Sequence, residues 1–303
     1  MDRSLKITCF GEVLWDVFPG SEKVGGAPLN VALRLQSLGA DTTMISSVGK
    51  DVLGEKIVAY LNSAGINTNS IVVSAELPTG IVDVKLDKSG SASYKIKHPA
   101  AWDKIPLSPS MLVSVKQADA FIYGSLICRD TQSRATLMHL LPKSKYKVLD
   151  VNLRKGYYNQ EVLLELIKSA DFIKFNDDEL FEIGTMMGSP YNSLEQNLEY
   201  IRSQIKATSF CVTKGRHGAL LLYKGTYYYN SGYKITVKDT VGAGDSFLAS
   251  LIIKLLKEEN PQHALDFACG IGALVAAQSG ANPVLKETQV NNFIYGKEAI
   301  LKN

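Results

Sequence analysis

Apolar and polar positions along this chain repeat with two periods. Residues 5–10 (LKITCF) read as a strand that stops at Gly11. Residues 28–38 (PLNVALRLQSL) have helical spacing, with Pro28 suited to a first turn and Gly39 to the stop beyond the last. A strand over 43–48 and a helix over 51–63 follow, with Asp51 as a candidate N-cap and Gly65 past the end. The same succession returns as strand 119–123 and helix 131–141, strand 147–151 and helix 160–169, and strand 171–175 and helix 178–186. Helix 193–205 and strand 209–213 come next. Such alternation predicts a doubly wound α/β fold, with a mostly parallel sheet covered by helices on both faces.

One region breaks this order. Residues 80–87 (GIVDVKLD) and 91–97 (SASYKIK) flank the turn sequence KSG. Val82, Val84 and Leu86 share one face, as do Ala92, Tyr94 and Ile96, while Asp83, Lys85, Lys95 and Lys97 point the other way. That pattern predicts a sheet with one wet face. Residues 13–18 (VLWDVF) alternate similarly. These pieces read as a small β-sheet lid, formed by about 12–26 and 79–99. It is inserted in a single domain spanning 1–303, because no linker-like stretch or internal repeat divides the chain.

Composition narrows the function. Hydrophobic residues make up 46% of the 303 positions, and 33 Lys and Arg against 30 Asp and Glu leave a net charge of +3. There is no long run of one sign, so neither a nucleic-acid nor a membrane partner is expected. The N-terminus lacks a signal-peptide stretch, and no segment nears the ~20 apolar residues of a membrane span. Cys9, Cys128, Cys211 and Cys269 are far apart and form no CxxC pair. A reduced, cytoplasmic protein is the expectation.

The chemistry is concentrated around KDTVGAGDSF, residues 238–247. Residues 246–256 are apolar almost all round, so a buried helix starts here. Unpaired N–H groups and the helix dipole make its N-terminus suited to an anion, and Gly242 and Gly244 let a phosphate come close. Asp245 would face the group being phosphorylated and accept the proton of an attacking hydroxyl, while the backbone donors meet charge on the transferring phosphoryl group. GAGD alone fits a capped core helix behind a glycine-rich turn better than an active site, so partners elsewhere in the chain matter. Residues 25–32 (GGAPLNVA) supply some. Gly25 and Gly26 permit close backbone approach, and the Asn30 amide can donate to and accept from sugar hydroxyls. Asp16, in VLWDVFPG, could accept two hydroxyl hydrogen bonds or simply belong to a turn.

Together the two glycine stretches resemble the signatures of the PfkB-type, ribokinase-like carbohydrate kinases. One runs from Gly25-Gly26 through Asn30 and Ala32 to Gly39 and Gly49; the other is Asp239 to Asp245. Ser250 stands where that family usually has Ala or Gly. The resemblance implies an α/β body with a β-sheet lid, Asp245 as catalytic base, and Gly242, Ala243 and Gly244 as anion hole. It implies that Asp16, Gly26 and Asn30 bind sugar, with Gly25 beside them. NDDE at 176–179 is similar to the family's NxxE motif, which would place Asn176 near the ATP phosphates and let Glu179 hold Mg2+ through water. Asn176 could also be a helix N-cap. TKGRHG at 213–218 resembles the nucleotide-binding turn, with Thr213, Lys214, Gly215 and Gly218; Cys269 falls where relatives carry Asn near adenine. Asp239, Val241 and the loop at Gly280 match a K+ site, although Val284 lacks the side-chain oxygen of some relatives.

The sugar is read from smaller differences. Ala27-Pro28, where ribokinases resemble one another in having Lys-Gly, is similar to fructokinases, and DVNLR at 150–154 is similar to fructokinases and ketodeoxygluconate kinases. Arg154 could meet the phosphoryl group or substrate oxygens bidentately, or form a surface ion pair. Fructokinase is therefore the expected activity, with 2-keto-3-deoxygluconate kinase or ribokinase as alternatives. A sugar-binding regulatory protein without turnover is the alternative of another class. No GxxxxGK[ST], protein-kinase or GxGxxG pattern supports another ATP-binding or dinucleotide fold. The resemblance also implies a homodimer through the lid.

Overall fold

The computed structural model describes residues 3–86 and 92–296. They fall into two compact units, one drawn from 1–36 and 40–145, the other from 37–39 and 146–303.

The first unit contains β1 (Lys6–Phe10), β2 (Leu14–Phe18), β3 (Ser21–Gly25), α1 (Ala27–Ser37), β4 (Asp41–Gly49) and α2 (Val52–Ser63). It continues with β5 (Asn67–Ser74), β6 (Gly80–Leu86), β7 (Ala92–Ile96), α3 (Pro109–Gln117), β8 (Ala120–Gly124) and α4 (Thr131–Leu140). Strands β8, β1, β4 and β5 lie side by side in that order, all parallel. Ile7, Cys9 and Phe10 on β1 and Phe121, Ile122 and Tyr123 on β8 are buried. Neighbouring residues of a strand point to opposite faces, so both faces are covered and these runs are mostly apolar; buried Thr8 on β1 is satisfied by donating to Ser114 O at 3.3 Å. Asp51 caps α2 by accepting from Gly54 N, as its position before the helical run predicts.

The small sheet has the order β3-β2-β6-β7. β2–β3 and β6–β7 are antiparallel hairpins, and β2 joins β6 in parallel. Val82, Val84 and Ile96 are buried, while Asp83 and Lys97 pair at 2.5 Å on the half-exposed face. The alternation therefore marked the wet face correctly. The KSG turn, and the side chains of Lys85, Leu86, Ala92 and Tyr94, lie outside the described residues.

The second unit contains β9 (Lys147–Asp150), α5 (Gln160–Ser169), β10 (Phe172–Asn176), α6 (Asp177–Met186), α7 (Leu194–Gln204) and β11 (Ser209–Thr213). Then come β12 (Ala219–Tyr223), β13 (Thr226–Asn230), α8 (Ala243–Leu256), α9 (Pro261–Ala276) and α10 (Glu287–Tyr295). β9, β10 and β11 are parallel neighbours, and β12 and β13 extend them as an antiparallel hairpin. The apolar pattern predicts no strand after β11. The hairpin's signal is Lys224-Gly225, which take φ of 50° and 84°, the pair of positive angles a two-residue turn needs. Helix α9 was also unforeseen, although Asn260 caps it and Pro261 occupies its first position. Helix α8 is buried on every side from Ser246 to Leu255, as its all-round apolar pattern predicts.

Candidate active site

The N-terminus of α8 is held open by geometry. Gly242 is its N-cap, in the left-handed region at φ 75°, and no side chain caps the helix. A Cβ at 242 would stand 2.5 Å from the Cβ of Ala281 and 2.6 Å from its Cα, so glycine is required there by torsion and by space. Gly244 differs. Its φ is not positive, and a Cβ would meet only Lys174 Nζ, at 3.7 Å. The backbone makes no demand for glycine at 244; its absent side chain leaves an exposed approach to the first-turn N–H groups and to Lys174. Asp245, one residue on, is half-buried, whereas the residues after it are fully buried. It is therefore not packed into the apolar core that the rest of α8 enters.

Beneath this helix start lies a buried group of charges. Lys174 on β10 is in register with Asp150 on β9, and Nζ donates to Asp150 Oδ1 at 2.8 Å. Burial alone would push the Lys174 ammonium down, but Asp150, Glu179 and Asp245 outweigh it and hold it above the ordinary lysine value. Glu179 in the first turn of α6 spends both oxygens on backbone: Oε1 accepts from Leu153 N and Oε2 from Asn176 N, each at 2.8 Å. Asn176 Oδ1 accepts from Glu179 N at 2.8 Å, completing a capping box. Burial, with Asp150 adding to it, pushes the Glu179 carboxyl up, while Lys174 and the two N–H groups pull it back. Asn176 is thus an N-cap, the second of the roles its position allowed.

This clamp also shapes the loop after β9. Asn152 takes φ 40°. The Arg154 side chain is exposed and its Nη1 donates to Leu153 O at 3.2 Å.

Residues 213–218 form a tight turn. Lys214 N donates to Gly218 O at 2.8 Å and His217 N to Lys214 O at 3.0 Å. Thr213 Oγ1 donates to Phe175 O at 3.3 Å. Gly215 and Gly218 take φ of 53° and 77°, and a Cβ at 218 would come within 2.0 Å of Asn230 O, so Gly218 seats the turn on β13. Cys269 on α9 is 8% exposed. Burial raises its thiol to about 12, with Asp266 adding to the effect and Lys214 opposing it. Near α8, Asp239 Oδ1 accepts from Val241 N and Oδ2 from Gly280 N, both at 3.0 Å, closing a loop on which Gly280 takes φ 85°. Val284 is fully out in solvent, 89% exposed.

In the first unit, Asp16 lies mid-strand on β2, opposite Lys23 of β3 and Val82 of β6, and so not in a turn. A Cβ on Gly25 would stand 2.3 Å from Asp16 Oδ2, so this glycine makes room for the carboxylate. Gly26, at φ 114°, lies against Glu12 O, where a Cβ would come within 2.4 Å. Its carbonyl accepts from Asn30 N at 2.9 Å, starting α1 with Asn30 buried in the first turn.

Among the described residues no cluster of three or more His, Cys, Asp or Glu is placed to hold a metal ion directly. A magnesium nucleotide fits this donor set if phosphates and water supply most ligands, as Mg2+ commonly requires. Glu179, with both oxygens already accepting, suits an outer role through water. Also among the described residues, no helix is long and apolar enough to cross a membrane. The motif reading had missed Lys174 and Asp150 as members of this site. Their signal is a charge beside apolar neighbours on a strand, the lysine at the centre of FIKFN and the aspartate ending KVLD.

Comparisons with known proteins give the family and the fold. The model of the pfkB family of carbohydrate kinases matches residues 2–288. A fructokinase of Vibrio alginolyticus is 26% identical over 305 residues, 94% of this chain and 97% of its own. The structure of an uncharacterized sugar kinase from Pyrococcus horikoshii superposes with a TM-score of 0.81 at 27% identity, covering 96% of this chain and 98% of that one. A double-mutant fructokinase from Vibrio cholerae, solved with fructose, ADP and a potassium ion, superposes with a TM-score of 0.84 at 23% identity over 97% and 99% of the two chains. At that identity the likeness speaks for the ribokinase-like fold, a mostly parallel α/β body with a small separate sheet.

Proposed function

We propose that this chain, which belongs to the pfkB family of carbohydrate kinases, transfers the terminal phosphoryl group of ATP to a hydroxymethyl oxygen of fructose. The observation that carries the reading is the open, uncapped start of α8, where half-buried Asp245 follows a glycine that the backbone does not require. In the reaction the sugar oxygen bonds to the terminal phosphorus, its proton passes to Asp245, and the bridging P–O bond breaks with its electron pair leaving on ADP. The N–H groups of Gly242 and Gly244 meet the charge on the phosphoryl oxygens, and that of Ala243, which donates to Thr240 O at 3.2 Å, would have to turn from it to join them. Asp16 and Asn30 hold sugar hydroxyls, with Gly25 and Gly26 leaving room. Asn176, Thr213, Lys214, Gly215, Gly218 and Cys269 line the nucleotide, and Arg154 meets phosphoryl or substrate oxygens.

Magnesium, when bound, would shield the phosphate charge, and Glu179 would hold it through water. A potassium ion fits the loop closed by Asp239, Val241 and Gly280, whose carbonyls would supply ligands. Fructose is favoured over ribose and 2-keto-3-deoxygluconate by Ala27-Pro28 and by the fructokinases among the relatives. The same reading makes the protein cytoplasmic and a homodimer through the small sheet. Because Val82, Val84 and Ile96 are already covered within one chain, such a dimer would use the sheet's polar face or its β3 or β7 edge.

A coupled ADP-release assay over a panel of sugars tests the reading. Fructose is expected to give the highest kcat/KM, and Asp245→Asn to lower kcat by about 10²–10⁴-fold while fructose still binds. Faster turnover of ketodeoxygluconate or ribose would overturn the substrate. Sugar binding without turnover by the unaltered chain would favour the regulatory alternative.

A further inference from the structure

We infer that Asp150 is a positioning residue for phosphoryl transfer: it holds the Lys174 ammonium at the N-terminus of α8, where Lys174 meets the charge of the transferring group. The inference rests on the kinase reading and adds to it a side-chain cation and the carboxylate that aims it.

Three observations lead there. First, the two side chains are only 8% and 6% exposed yet ionically paired at 2.8 Å. An ion pair so far from water adds little or nothing over a well-packed apolar pair, because desolvation offsets the attraction. Stability alone does not account for a Lys in the middle of β10 and an Asp at the end of β9, both withdrawn from water. Second, Nζ reaches the helix start, 3.7 Å from where a Cβ on Gly244 would stand. That position has no backbone reason to be glycine, and glycine keeps the ammonium accessible. Third, Asp150 and Glu179 play different parts. Glu179 gives both oxygens to backbone N–H groups and so fixes the loop after β9. Asp150 Oδ1 takes a proton of Lys174, and its Oδ2 has no hydrogen-bond donor. Its bonding in the structure is directed to Lys174.

An ammonium has three N–H donors. One goes to Asp150, and the others can serve an anion arriving over Gly244. The lysine also counters Asp150, Glu179 and Asp245, whose fields all act on it. Without it, those carboxylates would confront the triphosphate with like charge. Lys174 keeps its proton throughout; it contributes charge, and the transferred proton remains with Asp245.

The test uses the full chain with ATP, magnesium and fructose, and compares Asp150→Asn, Lys174→Met and the double variant D150N/K174M with the unaltered protein. Each single change is expected to lower kcat by about 10²–10³-fold with little change in KM for fructose. Melting curves separate this from a folding defect. The double variant has lost both buried charges together, so its stability should recover while its kcat stays low. Lys174→Arg should regain part of the activity. A double variant that turns over like the unaltered protein would overturn the inference and leave the pair a structural one. If no sugar is turned over at all, the parent kinase reading falls, and nucleotide binding still decides this point. Lys174→Met should weaken ATP binding more than ADP binding, and equal weakening would overturn it.

Discussion

Asp51 holds Thr79 with both carboxylate oxygens: Oδ2 accepts from the Thr79 N–H at 2.8 Å and Oδ1 from its hydroxyl at 2.7 Å. Oδ1 also accepts from Gly54 N at 2.8 Å, and Thr79 Oγ1 accepts from Gly49 N at 2.9 Å. The end of β4, the start of α2 and the residue before β6 are thereby tied in one knot. Glycine at 49 and 54 makes it possible, since a Cβ at 49 would stand 2.3 Å from Asp51 Oδ2 and one at 54 would stand 2.8 Å from Thr79 Oγ1. The knot anchors β6, and through its pairing with β2 it anchors the strand that carries Asp16.

Asp51→Ala should destabilise the protein by about 1–3 kcal/mol, since it removes a cap and leaves partly buried donors unsatisfied. The effect depends on pH with a definite sign. Burial alone would raise the Asp51 carboxyl, but the bonds from Thr79 and Gly54 outweigh it and hold it below the usual carboxylate value. A group depressed in the folded state contributes stability above its unfolded value, about 3.9, and loses it as pH falls through the folded value. Urea unfolding of both proteins should show a difference that is full at neutral pH and closes in acid. A constant difference down to low pH would refute the assignment.

The two glycines of the α8 turn should behave oppositely. Gly242→Ala is expected to lower the melting temperature, because it combines a left-handed torsion with contact against the 281 backbone. Gly244→Ala should leave the melting temperature unchanged or raise it, alanine being the better helix former, while kcat falls. A thermal melt beside a rate measurement separates them.

Gly25→Ala should act on the sugar. The new methyl collides with Asp16 Oδ2, so the carboxylate must turn away. If Asp16 binds fructose, losing a hydrogen bond to a charged group costs about 1.5–3 kcal/mol, or roughly 10- to 100-fold in KM. The KM for ATP should stay put, and parallel shifts in both constants would speak for a general distortion.

Thiol reactivity offers a test of the core. Cys9 and Cys211 are fully buried, and burial raises both thiols well above the ordinary value; Cys269 is raised to about 12. Thiolate is the reactive form, so a disulfide reagent at pH 8 should label these three only on denaturation. Fast labelling of the native protein would contradict the packing described.

Several features were legible in the sequence because they depend on neighbours along the chain. The Asp51 cap, the all-round apolar α8 and the alternating β6 each arise within a few residues. The hairpin at Lys224-Gly225 and the Asn260-Pro261 start of α9 carried signals of the same local kind that were passed over. Long-range relations were not legible. Nothing in VLWDVF tells that β2 pairs with β6 some sixty residues on, since the pairing depends on which edge the strand meets.

The amino-acid sequence by itself determined the succession of strands and helices, the glycine-framed start of α8 and the position of Asp245 in its first turn, because torsional freedom, capping and apolar periodicity act over short stretches. Only the tertiary structure decided that Lys174 and Asp150, twenty-four residues apart, meet out of water beneath Gly244, and that Glu179 spends its carboxylate on two backbone N–H groups. Those are outcomes of strand register and burial. Coulomb attraction between side chains is set by distance in space, which no local pattern encodes.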